Sequence, residues 1–144
     1  MEDEKTKIKP AAKKAGMFVK AKKKTAIARG VIRKGTGHIK VNHMNVNVFA
    51  QGYVRDLVLD PIKLAGEAGK EFDIEVTVNG SGFMSRAVAV RSCIAKALVK
   101  AKGKKLKDMF IEYDRNLLVD DVRRVESKKP LGRKARGKKQ KSKR

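Results

Sequence analysis

The chain has 144 residues, and its 37 lysines and arginines against 15 aspartates and glutamates leave a net charge of +22. One cysteine, Cys93, excludes an internal disulfide or a thiolate metal cluster within the chain, and zero tryptophans with two tyrosines argue against a surface built mainly from stacked aromatics. No stretch nears the roughly 20 apolar residues of a membrane span, and the opening MEDEK has no signal region, so the composition reads as a soluble protein of a reducing compartment with no membrane partner.

The charge divides the chain. Residues 1–24 carry nine lysines and three acids, residues 25–126 eighteen cations and twelve acids, and residues 127–144 ten cations and no acid. This predicts a basic N-terminal arm over 1–22, a globular domain over 23–126 and an extended basic tail over 127–144. The middle portion is long enough to bury its own core.

In chain order, KKKTAIARGVIRKGTGHIKV alternates small or branched apolar residues with polar ones around Gly35-Thr36-Gly37. That pattern predicts a hairpin with strands over Lys24–Lys34 and His38–Val41. NVFAQGYVRDLVLDPIKLAG then predicts short helices near Val48–Gln51 and Tyr53–Leu64, with Pro61 as a helix-start signal and Gly66 and Gly69 as stops. FDIEVTVNG is the clearest strand, with Phe72, Ile74, Val76 and Val78 on one side and polar residues on the other. SRAVAVRSCIAKALVKAKG predicts a helix capped by Ser85 and Gly103, with Lys100, Lys102 and Lys104 at its negative end. LKDMFIEYD predicts a further short helix and Asp121–Glu126 a last strand. The order suggests an α+β two-layer sandwich with helices on one face of the sheet.

Little in the chain points to catalysis. The Asn79–Arg86 loop, NGSGFMSR, joins the best strand to the best helix and could seat a phosphate, or be a tight turn with no ligand. It lacks a Walker ending and the third glycine of a dinucleotide fingerprint. A small-molecule kinase would need a base and a magnesium ligand near the loop, and none is evident. His38 and His43 have no carboxylate or cysteine at metal-ligand spacing, and Asp120 and Asp121 read as partners for Arg123 and Arg124. The expectation is of no enzyme, cofactor or metal.

The tail SKKPLGRKARGKKQKSKR has too little apolar surface to order itself alone. Extended at about 3.3–3.6 Å per residue, it reaches about 60 Å, enough to thread between packed nucleic-acid helices. Each cation pairing with a phosphate releases counterions, giving strong, sequence-blind, salt-sensitive binding. A free-standing nucleic-acid-compacting protein would share this trait.

Three segments, KKKTAIARGVIRKGTGHIKVN, VNGSGFMSRAVAVRSCIAKALV and DDVRRVESKKPLGRKARGKKQKSKR, resemble in that order the signature regions of the small-subunit ribosomal protein nine family, closest to its archaeal and eukaryotic branch. The resemblance implies a structural protein of the small-subunit head, with the split β-α-β fold of the second domain of ribosomal protein five. It implies as partners small-subunit ribosomal RNA, peptidyl-site tRNA and neighbouring head proteins, in the cytoplasmic ribosome. The ribosomal RNA contacts it implies fall on Lys23, Lys24, Arg29, Arg33, Lys34 and Arg86, and on Lys128, Lys129, Arg133, Lys134, Arg136, Lys138 and Lys139 along the tail. Contact with tRNA falls on Lys141, Lys143 and Arg144, with Gln140 just behind. The family's loop commonly reads as three glycines and then a Gly-Gln pair, where this chain has Ser81 at the middle glycine and Ser85-Arg86 at the pair. Many relatives carry tyrosine where this chain has Lys143.

Overall fold

The computed structural model describes residues 16–138 and Ser142. In chain order the strands and helices are β1 Met17–Lys23, β2 Ala26–Lys34, β3 Ile39–Val41, β4 Met44–Asn45, α1 Val46–Phe49, α2 Gly52–Ala65, α3 Glu67–Lys70, β5 Phe72–Asn79, α4 Phe83–Lys102 and α5 Lys104–Tyr113, followed by a single 3-10 turn at Arg115–Leu117. One mixed five-stranded sheet, ordered β1-β2-β5-β3-β4, carries the helices on one face, so the α+β class holds. No described helix is long and apolar enough to cross a membrane.

The period-2 pattern of β5 does what its sequence implies. Phe72, Ile74, Val76 and Val78 are buried while Asp73, Glu75, Thr77 and Asn79 face away from the core. On β2 the covered side is built from Ala26, Ala28, Gly30 and Ile32. These small residues let α4 lie close: its Ala87, Ala89, Val90, Cys93, Ile94, Ala97 and Leu98 are all fully buried. A Cβ on Gly30 would stand 2.8 Å from Cys93 Sγ, so glycine makes room for the thiol. Burial in turn pushes the Cys93 thiol up to about 12, which makes it a packing group and not a nucleophile.

Arg91 ties α4 to α2 and to the end of α5. Its guanidinium lies 3.3 Å from Asp60 of α2 and 2.9 Å from Asp114, whose other oxygen accepts the Asn116 N–H at 2.8 Å and caps the 3-10 turn. With an Arg91 side chain only 12% exposed, the two carboxylates offset the cost of burying its charge.

Several expectations change. β2 and β3 do not form a hairpin: β5 inserts between them, pairing antiparallel with β2 and parallel with β3. Asp73 makes the Gly35–Gly37 turn, its Oδ1 accepting the Thr36 and His38 N–H groups, both at 2.9 Å. The hairpin partner of β2 is instead β1, drawn partly from the segment read as an arm. Its outward side alternates Phe18, Lys20 and Lys22 with the inward Val19 and Ala21, an amphipathic strand hidden under a lysine-rich composition. Pro61 lies inside α2, which begins nine residues earlier, and Gly66 closes it. Gly82, not Ser85, is the N-cap of α4, and Lys104 belongs to the first turn of α5. Asp121–Glu126 forms no strand, since Val122 and Val125 are 87% and 96% exposed and find nothing to pack on.

Candidate nucleic-acid interface

The corner from which the tail departs is built first by the edge of β1. An edge strand leaves a row of backbone groups without a neighbouring strand. Here Lys96 and Lys100 of α4 reach over and donate to the Lys20 and Phe18 carbonyls at 3.4 and 3.1 Å. The Lys22 N–H donates to Asp120 Oδ1 at 3.0 Å, and the same oxygen takes Lys96 Nζ at 2.6 Å. Asp120 therefore serves β1 and α4, not the arginines after it.

Asp121 does hold Arg123. It accepts the Arg123 N–H at 2.9 Å and the guanidinium at 2.9–3.2 Å, and it takes Lys23 Nζ at 2.7 Å. The Arg123 side chain and then Lys23 keep the Asp121 carboxyl well below the usual carboxylate range, while the carboxylate holds Arg123 above its ordinary value. Arg124 has no ion pair among the described residues. Two adjacent aspartates thus fasten the root of the tail to the end of β1 and to α4.

A few residues away lies the loop between β5 and α4. Gly80 has φ = 86°, and a Cβ there would meet the Thr25 carbonyl oxygen at 2.4 Å, so the β1–β2 turn packs directly on it. Ser81 takes the left-handed conformation, φ = 54°, a region that favours glycine. Arg86 folds back, its Nε donating to the Gly80 carbonyl at 3.1 Å, which fixes a cation beside the helix start.

The remaining implied RNA contacts separate by what surrounds them. Lys24 sits at the β1–β2 turn with φ = 54°. Arg29 and Arg33 stand on the sheet face that no described helix covers, Lys34 ends the same strand, and none of these has an ion pair among the described residues. In the tail, Arg136 Nε donates to Glu126 at 2.9 Å and Lys129 lies 3.8 Å from the same carboxylate. Lys128, Arg133, Lys134 and Lys138 are exposed. The tail is not extended throughout: Gly132 and Lys138 form an antiparallel bridge, with the Arg133 N–H donating to the Gly137 carbonyl at 3.0 Å. Lys139, Gln140, Lys141, Lys143 and Arg144 lie outside the described residues.

Sequence reasoning passed over Lys20 and Lys40, which join Arg29 and Arg33 on the open face: Lys20 is directly opposite Arg29, and Lys40 is opposite Glu75. The alternation in MFVKAKK carried the signal for Lys20. His43 is not remote from carboxylates, with Nδ1 3.2 Å from Glu75. Among the described residues no three histidines, cysteines or acids come together as a metal site.

The chain matches the family model described as ribosomal protein S9/S16 over residues 21–144. It is 44% identical over 122 residues to small ribosomal subunit protein uS9 of Picrophilus torridus, and equally so to that of Thermoplasma volcanium, covering 84% of this chain and 92% of each relative. The Methanococcus maripaludis protein of the same name is 40% identical over 110 residues, 76% of this chain and 82% of its own. With the tail and its root, and all of the sheet beyond the start of β1, inside the matched span, the chain belongs to the ribosomal protein S9/S16 family, structural and non-enzymatic components of the small ribosomal subunit in the cytoplasm.

Proposed function

We propose that the chain binds small-subunit ribosomal RNA in the subunit head, beside neighbouring head proteins, through a globular domain over 23–126 whose fold is the split β-α-β fold of the second domain of ribosomal protein five. In this reading residues 1–22 lead into that domain, β1 beginning within them, and the tail over 127–144 runs through folded RNA toward the peptidyl-site tRNA. Lys23, Lys24, Arg29, Arg33, Lys34 and Arg86 meet RNA phosphates. Lys128, Lys129, Arg133, Lys134, Arg136, Lys138 and Lys139 line its passage, and Lys141, Lys143 and Arg144 end at the tRNA.

The observation that carries the reading is the contrast at the tail root. Asp120 and Asp121 are consumed in holding the chain to β1, while from Ser127 onward the sequence contains no acid. A fastened origin followed by a run of cations with no acid among them is what a phosphate-lined passage requires, because the anchor fixes where a sequence-blind strand goes.

Deleting Lys141–Arg144 should leave incorporation into small subunits intact and speed tRNA dissociation from the peptidyl site at low magnesium. Unchanged dissociation in such particles would remove the tail from the tRNA site.

A further inference from the structure

The face of the sheet that no described helix covers carries more than charge. Phe18 of β1 is 73% exposed on it, directly opposite Val31 of β2, and Lys20 is opposite Arg29 two residues along. With Glu75 and Thr77 of β5 these residues line one open groove. A phenylalanine left mostly in water contributes little to folding, yet this one is held firmly: Lys100 donates to its carbonyl oxygen at 3.1 Å, so the ring stands on a fixed backbone. Lys20 and Arg29 have no ion pair among the described residues, and Glu75, the acid of the groove, has its Oε1 3.2 Å from His43 Nδ1.

We propose that this groove is a subsite for a single unpaired RNA nucleotide, its base stacked on Phe18 and its phosphate held by Arg29 and Lys20. The proposal rests on the RNA-binding reading above and narrows it from backbone contact to recognition of one splayed base. An apolar protein surface set on the ring would take both cations out of water without a counter-charge, which is costly. Duplex RNA offers phosphates but keeps its base faces stacked inside. Among RNA ligands, a nucleotide in a loop, bulge or end brings a flat apolar face and a negative charge together. Stacking of this kind tolerates any base, since each has a π-face. The scarcity of aromatics in the sequence excludes a row of such platforms, not one.

Because the chain contains no tryptophan, Phe18→Trp places the chain's single indole in the groove, excited selectively over the two tyrosines. The full-length variant is titrated at low salt with a single-stranded oligoribonucleotide, a duplex of the same sequence and polyphosphate, with binding followed separately by labelled-ligand anisotropy or competition. Single-stranded RNA should quench the indole and shield it from acrylamide, while duplex and polyphosphate bind without doing so. Phe18→Ala, at a solvent-facing position, should weaken single-strand binding on the order of tenfold and leave duplex binding unchanged. RNA binding with unaltered emission, or equal quenching by polyphosphate, overturns the groove and leaves the phosphate reading intact. No RNA binding at all overturns both. An indole already shielded in the free protein, or still shielded in small subunits after ribonuclease digestion, means that a polypeptide fills the groove and also overturns the proposal.

Discussion

Ser81 sits at φ = 54° between Gly80 and the Gly82 cap, and its hydroxyl has no hydrogen bond among the described residues. A non-glycine residue in this region costs about 1–2 kcal/mol, partly recovered because serine restricts the unfolded chain more than glycine does. Ser81→Gly should therefore raise stability by up to about 1 kcal/mol, read as a higher urea midpoint at unchanged slope. The loop has to keep the left-handed turn whatever residue occupies it, since Gly80 is pressed against the Thr25 carbonyl. The resemblance implies a glycine where Ser81 stands, and the packing of Gly80 explains why the loop holds a left-handed turn there. The sequence could likewise suggest that Asp121 serves Arg123, two residues on. It could not reveal Lys23 as the second partner, because that contact depends on the tail root returning to the first hairpin.

At the scale of elements, strong periodicity was legible and pairing was not. β5 and α4 announce themselves through one-sided burial, and both are present close to their expected bounds. Which strand lies beside which is decided by α4 and α2 covering one face and by β5 entering between β2 and β3, a non-local choice without a signature in either strand. β1 was obscured because its inward residues are only Val19 and Ala21, and the supposed strand at Asp121–Glu126 was suggested by valines that meet nothing. Two of the connections depend on carboxylates. Asp73, held below its ordinary 3.8 chiefly by the His38 and then the Thr36 N–H, shapes the β2–β3 turn, and Asp121 fastens the tail root. With folded values depressed, both groups contribute stability above the unfolded carboxylate range and lose it as pH falls through the lower folded values. Below about pH 4 the Thr36, His38 and Arg123 amides should exchange with solvent faster relative to core amides of β5 and α4, as measured by hydrogen exchange. Uniform protection at pH 3 would contradict this.

Over the whole molecule the charge asymmetry was readable because a run of one sign is a property of composition. Which cations already have an acid partner was not, since Lys23, Lys96 and Lys102 each pair with an acid distant in the chain and Arg136 pairs with Glu126. If about 6–10 phosphates are contacted, affinity for ribosomal RNA should drop roughly 10³–10⁵-fold between 50 and 200 mM salt. Arg29→Ala should flatten the log–log salt slope by about one unit. Lys102→Ala, whose ammonium is already committed to Glu71 at 2.7 Å, should leave the slope nearly unchanged. The closure of β1 bears as well on how the polypeptide is made. The strand emerges early in synthesis, yet the carboxylate that takes its Lys22 amide is 98 residues downstream. Until Asp120 has left the exit tunnel, that flank of the nascent sheet is incompletely sealed, so a pause in translation before that point exposes a surface that a chaperone, or another half-made copy, can seize.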